Sequence, residues 1–253
     1  MIALSGMDLH LKGTGKNLAE VGSIVGEKLP ATDEFALDGR LTGSTEALSL
    51  KNTQATARRG RLHLSLNGGV KNLLTLRGLD LQSRLTGTNL TEFGEIIGAK
   101  LPATDQFEVL GRLTGSVKTM ALQKASGRAK WGSVSLALKG EIMDLLDLGG
   151  MDLHFQGSGK DLAEIGSVTG KKLPPTDAFR VRGRLRGSTK ALSLLEAEGR
   201  TKRGGLNLTF NGEIKELLAL EGINVNLNAS GNELAEIGPL IGAELPDLGP
   251  FDM

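Results

Sequence analysis

The chain has no cysteine and no tyrosine, and only one tryptophan and seven phenylalanines among 253 residues. Without cysteine there are no disulfides, no thiol nucleophile and no thiolate metal site. With so few aromatics, large core anchors are scarce and a sugar-binding aromatic platform is not expected. Neither sign of charge is in excess: 30 Lys and Arg face 29 Asp and Glu. That balance gives no reason to expect a nucleic-acid partner. No run of 18 apolar residues occurs, so no helical membrane span is expected. No leader pattern precedes the strand-like opening.

What the chain does have is glycine and repetition. Glycine fills 36 positions, about twice the usual share of roughly 7%. The pair Leu29-Pro30 returns as Leu101-Pro102, Leu173-Pro174 and Leu245-Pro246, 72 residues apart each time. Phe35, Phe107, Phe179 and Phe251 return in step, and residues 16–35 and 160–179 are identical at 13 of 20 positions. A fixed period means one supersecondary unit copied and stacked. The units run 16–87, 88–159 and 160–231, with a partial copy at 232–253, and 1–15 closes a preceding unit. They form one array over 1–253, read as a piece of a longer protein.

Each unit opens with a short helix. Asn17, Asn89 and Asp161 stand three residues before Glu20, Glu92 and Glu164, the spacing of a capping box in which the Glu reaches back to the cap. The fourth copy has Glu233 at the cap and should form a weaker helix. Gly26, Gly98, Gly170 and Gly242 end the helix, and the Leu-Pro pair prevents its restart. About two turns, roughly 12 Å, are expected. Gly22, Gly94, Gly166 and Gly238 lie inside it, which suggests close approach to another backbone.

After the helix the period becomes two. Phe35, Leu37 and Leu41 alternate with polar residues. So do Leu62, Leu64 and Leu66, then Leu79 and Leu81. The next copies repeat this as Phe107, Val109 and Leu113; Val134, Leu136 and Leu138; Met151, Leu153 and Phe155. The last full copy has Phe179, Val181 and Leu185; Leu206, Leu208 and Phe210; Val225 and Leu227. Four strands per unit and the opening strand make about 13, joined by short Gly-rich links and paired antiparallel as a meander. The fold class is mainly β: an elongated antiparallel repeat sheet with one short helix per 72 residues. One face is apolar, and the chain supplies no second layer to cover it. Those apolar residues are the candidate lipid-binding groove, because a large uncovered apolar strip marks a binding surface.

The order Asn/Asp-Leu-Ala-Glu-Ile/Val-Gly, Gly, Leu-Pro, Thr, Phe and Gly-x-Leu-x-Gly stands at Asn17–Gly43 and Asp161–Gly187, more loosely at Asn89–Gly115. It resembles the AsmA-like family of bacterial envelope proteins. The resemblance implies a bridge-like lipid-transfer architecture: a long sheet curled into an apolar trough, a β-taco. It implies a periplasmic, monomeric protein tethered to the inner membrane by a segment absent here, carrying phospholipid or another acyl lipid toward the outer membrane. No cofactor, nucleic acid or catalysis is implied.

Other candidates read more simply. Arg180, Arg182, Arg184 and Arg186, with Arg40 and Arg112 in register, could face phosphate, but their side of the strand is the solvated one. His10, His63 and His154 read as solvated strand residues, and Thr32-Asp33, Thr104-Asp105 and Thr176-Asp177 as turn caps. Gly13-Thr-Gly15 and Gly157-Ser-Gly159 lack the rest of a dinucleotide fingerprint. No nucleophile–base pair is found. The rivals are a scaffold with a closed core and a carbohydrate-active β-helix enzyme, which the lack of aromatics disfavours.

Overall fold

The computed structural model describes residues 6–26, 29–44, 46–98, 101–169, 173–238, 246 and 249–253, with backbone only at 24–25 and 167–169. Leu245 and the helix-ending Gly170 and Gly242 lie outside the described residues. The strands are β1 (Met7–Gly15), β2 (Glu34–Ser44), β3 (Ala47–Arg59), β4 (Leu62–Asn72) and β5 (Arg77–Gly87). They continue as β6 (Gln106–Ser116), β7 (Met120–Trp131), β8 (Val134–Asp144), β9 (Gly149–Gly159) and β10 (Phe179–Gly187). The last four are β11 (Leu192–Arg203), β12 (Leu206–Glu216), β13 (Glu221–Gly231) and the two-residue β14 (Phe251–Asp252). All belong to one 14-stranded sheet in sequential order, and β1 and β14 are its edges, so it does not close into a barrel. Expectation put the count near 13; the extra strand is the two-residue β14, which pairs with Ser230 and Gly231.

The helices are α1 (Leu18–Val25), α2 (Leu90–Ile97) and α3 (Ala163–Thr169), and the fourth copy is a single 3-10 turn, Leu234–Ile237. The caps explain this grading. Asn17, Asn89 and Asp161 each accept a hydrogen bond from the N–H two residues on, at 3.1, 3.0 and 2.9 Å. Glu233 makes no such bond. Gly26 and Gly98 end their helices in the left-handed conformation. Gly22, Gly94, Gly166 and Gly238 are buried.

One irregularity recurs in every unit. Asn52, Lys124 and Glu196 have φ of 49°, 50° and 51°, and they are 72 residues apart. The register of β3 with β4 slips between Leu50 and Thr53, and that of β11 with β12 between Leu194 and Ala197. These are β-bulges. The extra residue changes which parity faces inward. Leu50 is on the apolar side before the bulge, and Thr53, Ala55 and Ala57 are on it after. The bulge thereby keeps the small residues Thr53, Ala55 and Ala57 on the apolar side.

The chain divides into two compact units, Met1–Gly127 with Gly140–Gly149, and Arg128–Lys139 with Gly150–Met253. In the first, Leu50, Val70, Leu79 and Leu81 form a buried cluster, with Leu37, Leu41, Leu66, Leu73, Leu113 and Met120 against it. In the second, Val134, Leu153, Phe179, Ala197, Leu206 and Ala229 are buried.

Candidate functional site: the apolar face and its rims

The candidate groove residues fall into cross-strand rows. In the first unit one row reads Gly15, Phe35, Ala57, Leu64, Leu85, Val109, and the next Gly13, Leu37, Ala55, Leu66, Ser83, Gly111. A third passes through Leu41, Leu50, Val70 and Leu79, and Leu81 stands opposite Leu113. In the second unit the rows are Phe179, Thr201, Leu208, Ala229; Gly157, Val181, Gly199, Phe210, Leu227; and Leu153, Leu185, Leu194, Ile214, Ile223. Phe155 lies opposite Gly183 and Met151 opposite Gly187, and Val225 stands opposite Gly212. On β8, Val134, Leu136 and Leu138 alternate, with Val134 against Gly159 and Leu136 against Gly157.

Rows near the helix end mix large residues with glycine or alanine, and there the large ones lean onto the small, while the rows through Leu50 and Leu194 are aliphatic throughout. A Cβ at Gly15, Gly87, Gly159 or Gly231 would stand 2.6, 2.7, 2.5 or 3.0 Å from the Cε1 of Phe35, Phe107, Phe179 or Phe251. Each repeat phenylalanine thus covers the glycine across from it. This is how a single sheet layer dries part of its own apolar face. Leu62, Leu79, Leu81, Phe107, Val134, Leu153, Phe179 and Leu206 are buried. Phe35, Leu37, Leu41, Leu64, Leu66, Val109, Leu113, Leu136, Leu138, Met151, Phe155, Val181, Leu185, Leu208 and Phe210 are half-buried. Val225 and Leu227 are exposed, at 40% and 63%.

Burial is deepest at the helix end of the strands. Here a hydrogen-bonded clip joins helix, turn and hairpin. Thr32 Oγ1 accepts from Leu18 N–H at 2.9 Å and donates to Lys16 O at 3.0 Å, and Thr104 does the same for Leu90 and Thr88. Asp33 accepts from Gly60 N–H at 2.7 Å, and Asp177 from Gly204 N–H at 3.1 Å. Gly60, Gly132 and Gly204 take φ of 54° to 58° in the two-residue hairpin turns, a conformation that favours glycine. Glu164 accepts from the N–H and Oγ of Ser133 at 2.8 and 2.7 Å. The carboxylate at the third position of the expected capping box thus also reaches sideways to a hairpin turn. At the opposite strand ends Leu74, Leu146 and Leu218, 72 residues apart, are 53%, 46% and 62% exposed.

Over 174 residues, 66% of this chain, the sequence is 30% identical to the AsmA family protein YhjG of Escherichia coli (strain K12). The chain is AsmA-like. It spans 23% of the length of that relative. No protein-family model matches it, and no solved structure does.

The solvent side of the AsmA-like sheet is tied by ion pairs in the same period. Arg112 grips Asp80 through Nε and Nη2 at 2.6 and 2.7 Å, and Arg184 grips Asp152 at 2.6 Å through Nε. Arg40 grips Asp8 in the same forked way. Each pair joins the last strand of one unit to the first strand of the next. The hydrogen bond from arginine holds Asp8, Asp80 and Asp152 below the ordinary carboxylate range. Asp161 is lowered by the N–H groups of Thr176 and Ala163. Residues 8, 80 and 152 share the 72-residue spacing, which was the available signal for these partners. His10 contacts Asp38 at 2.7 Å, and among the described residues no cluster of three metal-ligating side chains occurs.

Proposed function

We propose that this AsmA-like chain is a non-catalytic lipid-binding segment whose apolar face carries phospholipid acyl chains through the periplasm between inner and outer membrane. The observation that carries the reading is the set of apolar rows in each compact unit, with no second layer over them among the described elements. Acyl chains need a dry strip and no exact polar geometry. Each methylene buried contributes about 0.8 kcal/mol, so two chains are held firmly yet slide. A tether to the inner membrane from elsewhere in the parent protein accounts for orientation, and fractionation of cells by membrane and soluble compartment tests it.

Native mass spectrometry of gently extracted protein is expected to find co-purified phospholipid, and a fluorescent fatty acid is expected to bind. Leu136→Asp should abolish probe binding while the cooperative melt persists. Absence of lipid together with no probe binding rejects the proposal. A second reading, a scaffold with a closed core, draws on the Leu50, Val70, Leu79, Leu81 cluster, which is only 5% to 8% exposed. On that reading Leu136→Asp unfolds the chain.

A further inference from the structure

The second compact unit carries a concentration of positive charge that the rest of the chain does not repeat. On the polar side of β10 to β12, two cross-strand rows lie next to each other. One reads Ser158, Arg180, Arg200, Thr209; the other Gln156, Arg182, Glu198, Asn211. Arg180 and Arg200 stand directly opposite each other. Like charges at such positions repel and cost stability. Elsewhere on this face arginine is opposite or beside a carboxylate, as in Arg112–Asp80 and Arg184–Asp152. Both rows line a groove of about 1090 Å³, together with Arg128 and Lys130 of β7. Five cations therefore face one carboxylate there, and that carboxylate, Glu198, is already bound by Arg182 at 2.6 Å. Among the described residues Arg128, Lys130, Arg180 and Arg200 have no ion-pair partner.

We propose that this groove binds a phosphate-bearing ligand, with Arg180 and Arg200 as the paired forks that grip it. Two guanidinium groups on adjacent strands, each with parallel N–H donors, match the oxygens of one phosphate or two linked ones. The hydroxyl and amide groups of Ser158, Gln156, Thr209 and Asn211 surround them with neutral hydrogen-bonding groups, as a phosphorylated polyol requires. Bound anion would remove the Arg180–Arg200 repulsion, so binding and local stability are linked. The proposal does not rest on lipid carriage by the apolar face. The shared chemistry is a phosphate group, free or on a lipid head.

The test uses the whole chain. Pyrophosphate is titrated by calorimetry and by thermal melting at matched ionic strength, with sodium chloride as the control. Binding, with a rise in Tm that chloride does not reproduce, is expected. The variant Arg180→Ser with Arg200→Ser should weaken pyrophosphate about tenfold or more, the scale of losing charge-assisted hydrogen bonds, and remove the Tm rise. Arg186→Ser, on the same strand outside the groove, should leave both unchanged. Vesicles of phosphatidylglycerol against phosphatidylcholine separate the sources: co-sedimentation with the first alone, lost in the double variant, assigns a lipid head. Pyrophosphate binding without it assigns a free phosphate compound. If pyrophosphate raises Tm no more than chloride, or the double variant binds as tightly as the parent, the site is rejected.

Discussion

At the scale of single residues, the glycine–phenylalanine contact decides most. Gly159 lies beneath Phe179, where a methyl group would sit 2.5 Å from the ring. Gly159→Ala overpacks this point and is expected to cost roughly 1–3 kcal/mol. Phe179→Ala opens a cavity and should cost on the order of 3 kcal/mol. Combined, Gly159→Ala with Phe179→Leu should recover part of the first loss, because the methyl fills space the ring vacates. Urea denaturation of the parent, Gly159→Ala, Phe179→Leu and the double variant checks this, and strict additivity would show that the two residues do not pack together. The phenylalanine was legible from its period. Its glycine partner was not, since nothing in a linear pattern says which residue of another strand lies opposite.

At the scale of elements, the bulge and the cap carry the argument. Lys124 holds φ of 50°, which costs an L-residue about 1–2 kcal/mol. Lys124→Gly should relieve that cost and raise Tm, offset in part by the extra freedom of glycine in the unfolded chain. Lys124→Val should lower Tm, since a branched Cβ tolerates the conformation worst. A cap substitution acts more locally. Asn89→Ala removes the acceptor for Thr91 N–H and should cost about 1 kcal/mol. Amide exchange in α2 should speed up while exchange in β8 stays slow. Helix positions, their graded strength and the strand alternation were readable because each depends on neighbours a few residues away. The bulges were hidden, because an unpaired residue is defined only against a partner strand.

At the scale of the molecule, repeated arginine–aspartate pairs tie successive units. The three aspartates have folded-state pKa values lowered below the ordinary value of about 3.9. The sign follows from that depression. Their stabilising contribution is present above the unfolded value and disappears as pH falls through the lower folded value. The melting temperature should therefore begin to drop below about pH 3.9, where the unfolded carboxylates take up protons before the paired ones do. The triple variant Asp8→Asn, Asp80→Asn, Asp152→Asn should show a smaller drop between neutral and acidic pH, read by circular dichroism melts. The effect is modest, because the pairs are solvent-exposed and screened. An equal drop in parent and variant would remove the pairs from any account of acid sensitivity.

The 72-residue period, the antiparallel meander, the short capped helices and the apolar face were all determined by the sequence itself. They arise from spacing along one chain: period two for strands, a cap and a glycine for helices, identity at fixed offset for repeats. Only the tertiary structure decided which small residue each large one covers, where the inward parity changes, and that Glu164 binds a hairpin turn. It also brought Arg180 and Arg200 face to face while giving Arg40, Arg112 and Arg184 an aspartate each. Those outcomes depend on strand register, and register sets distances between residues that the order of amino acids alone leaves apart.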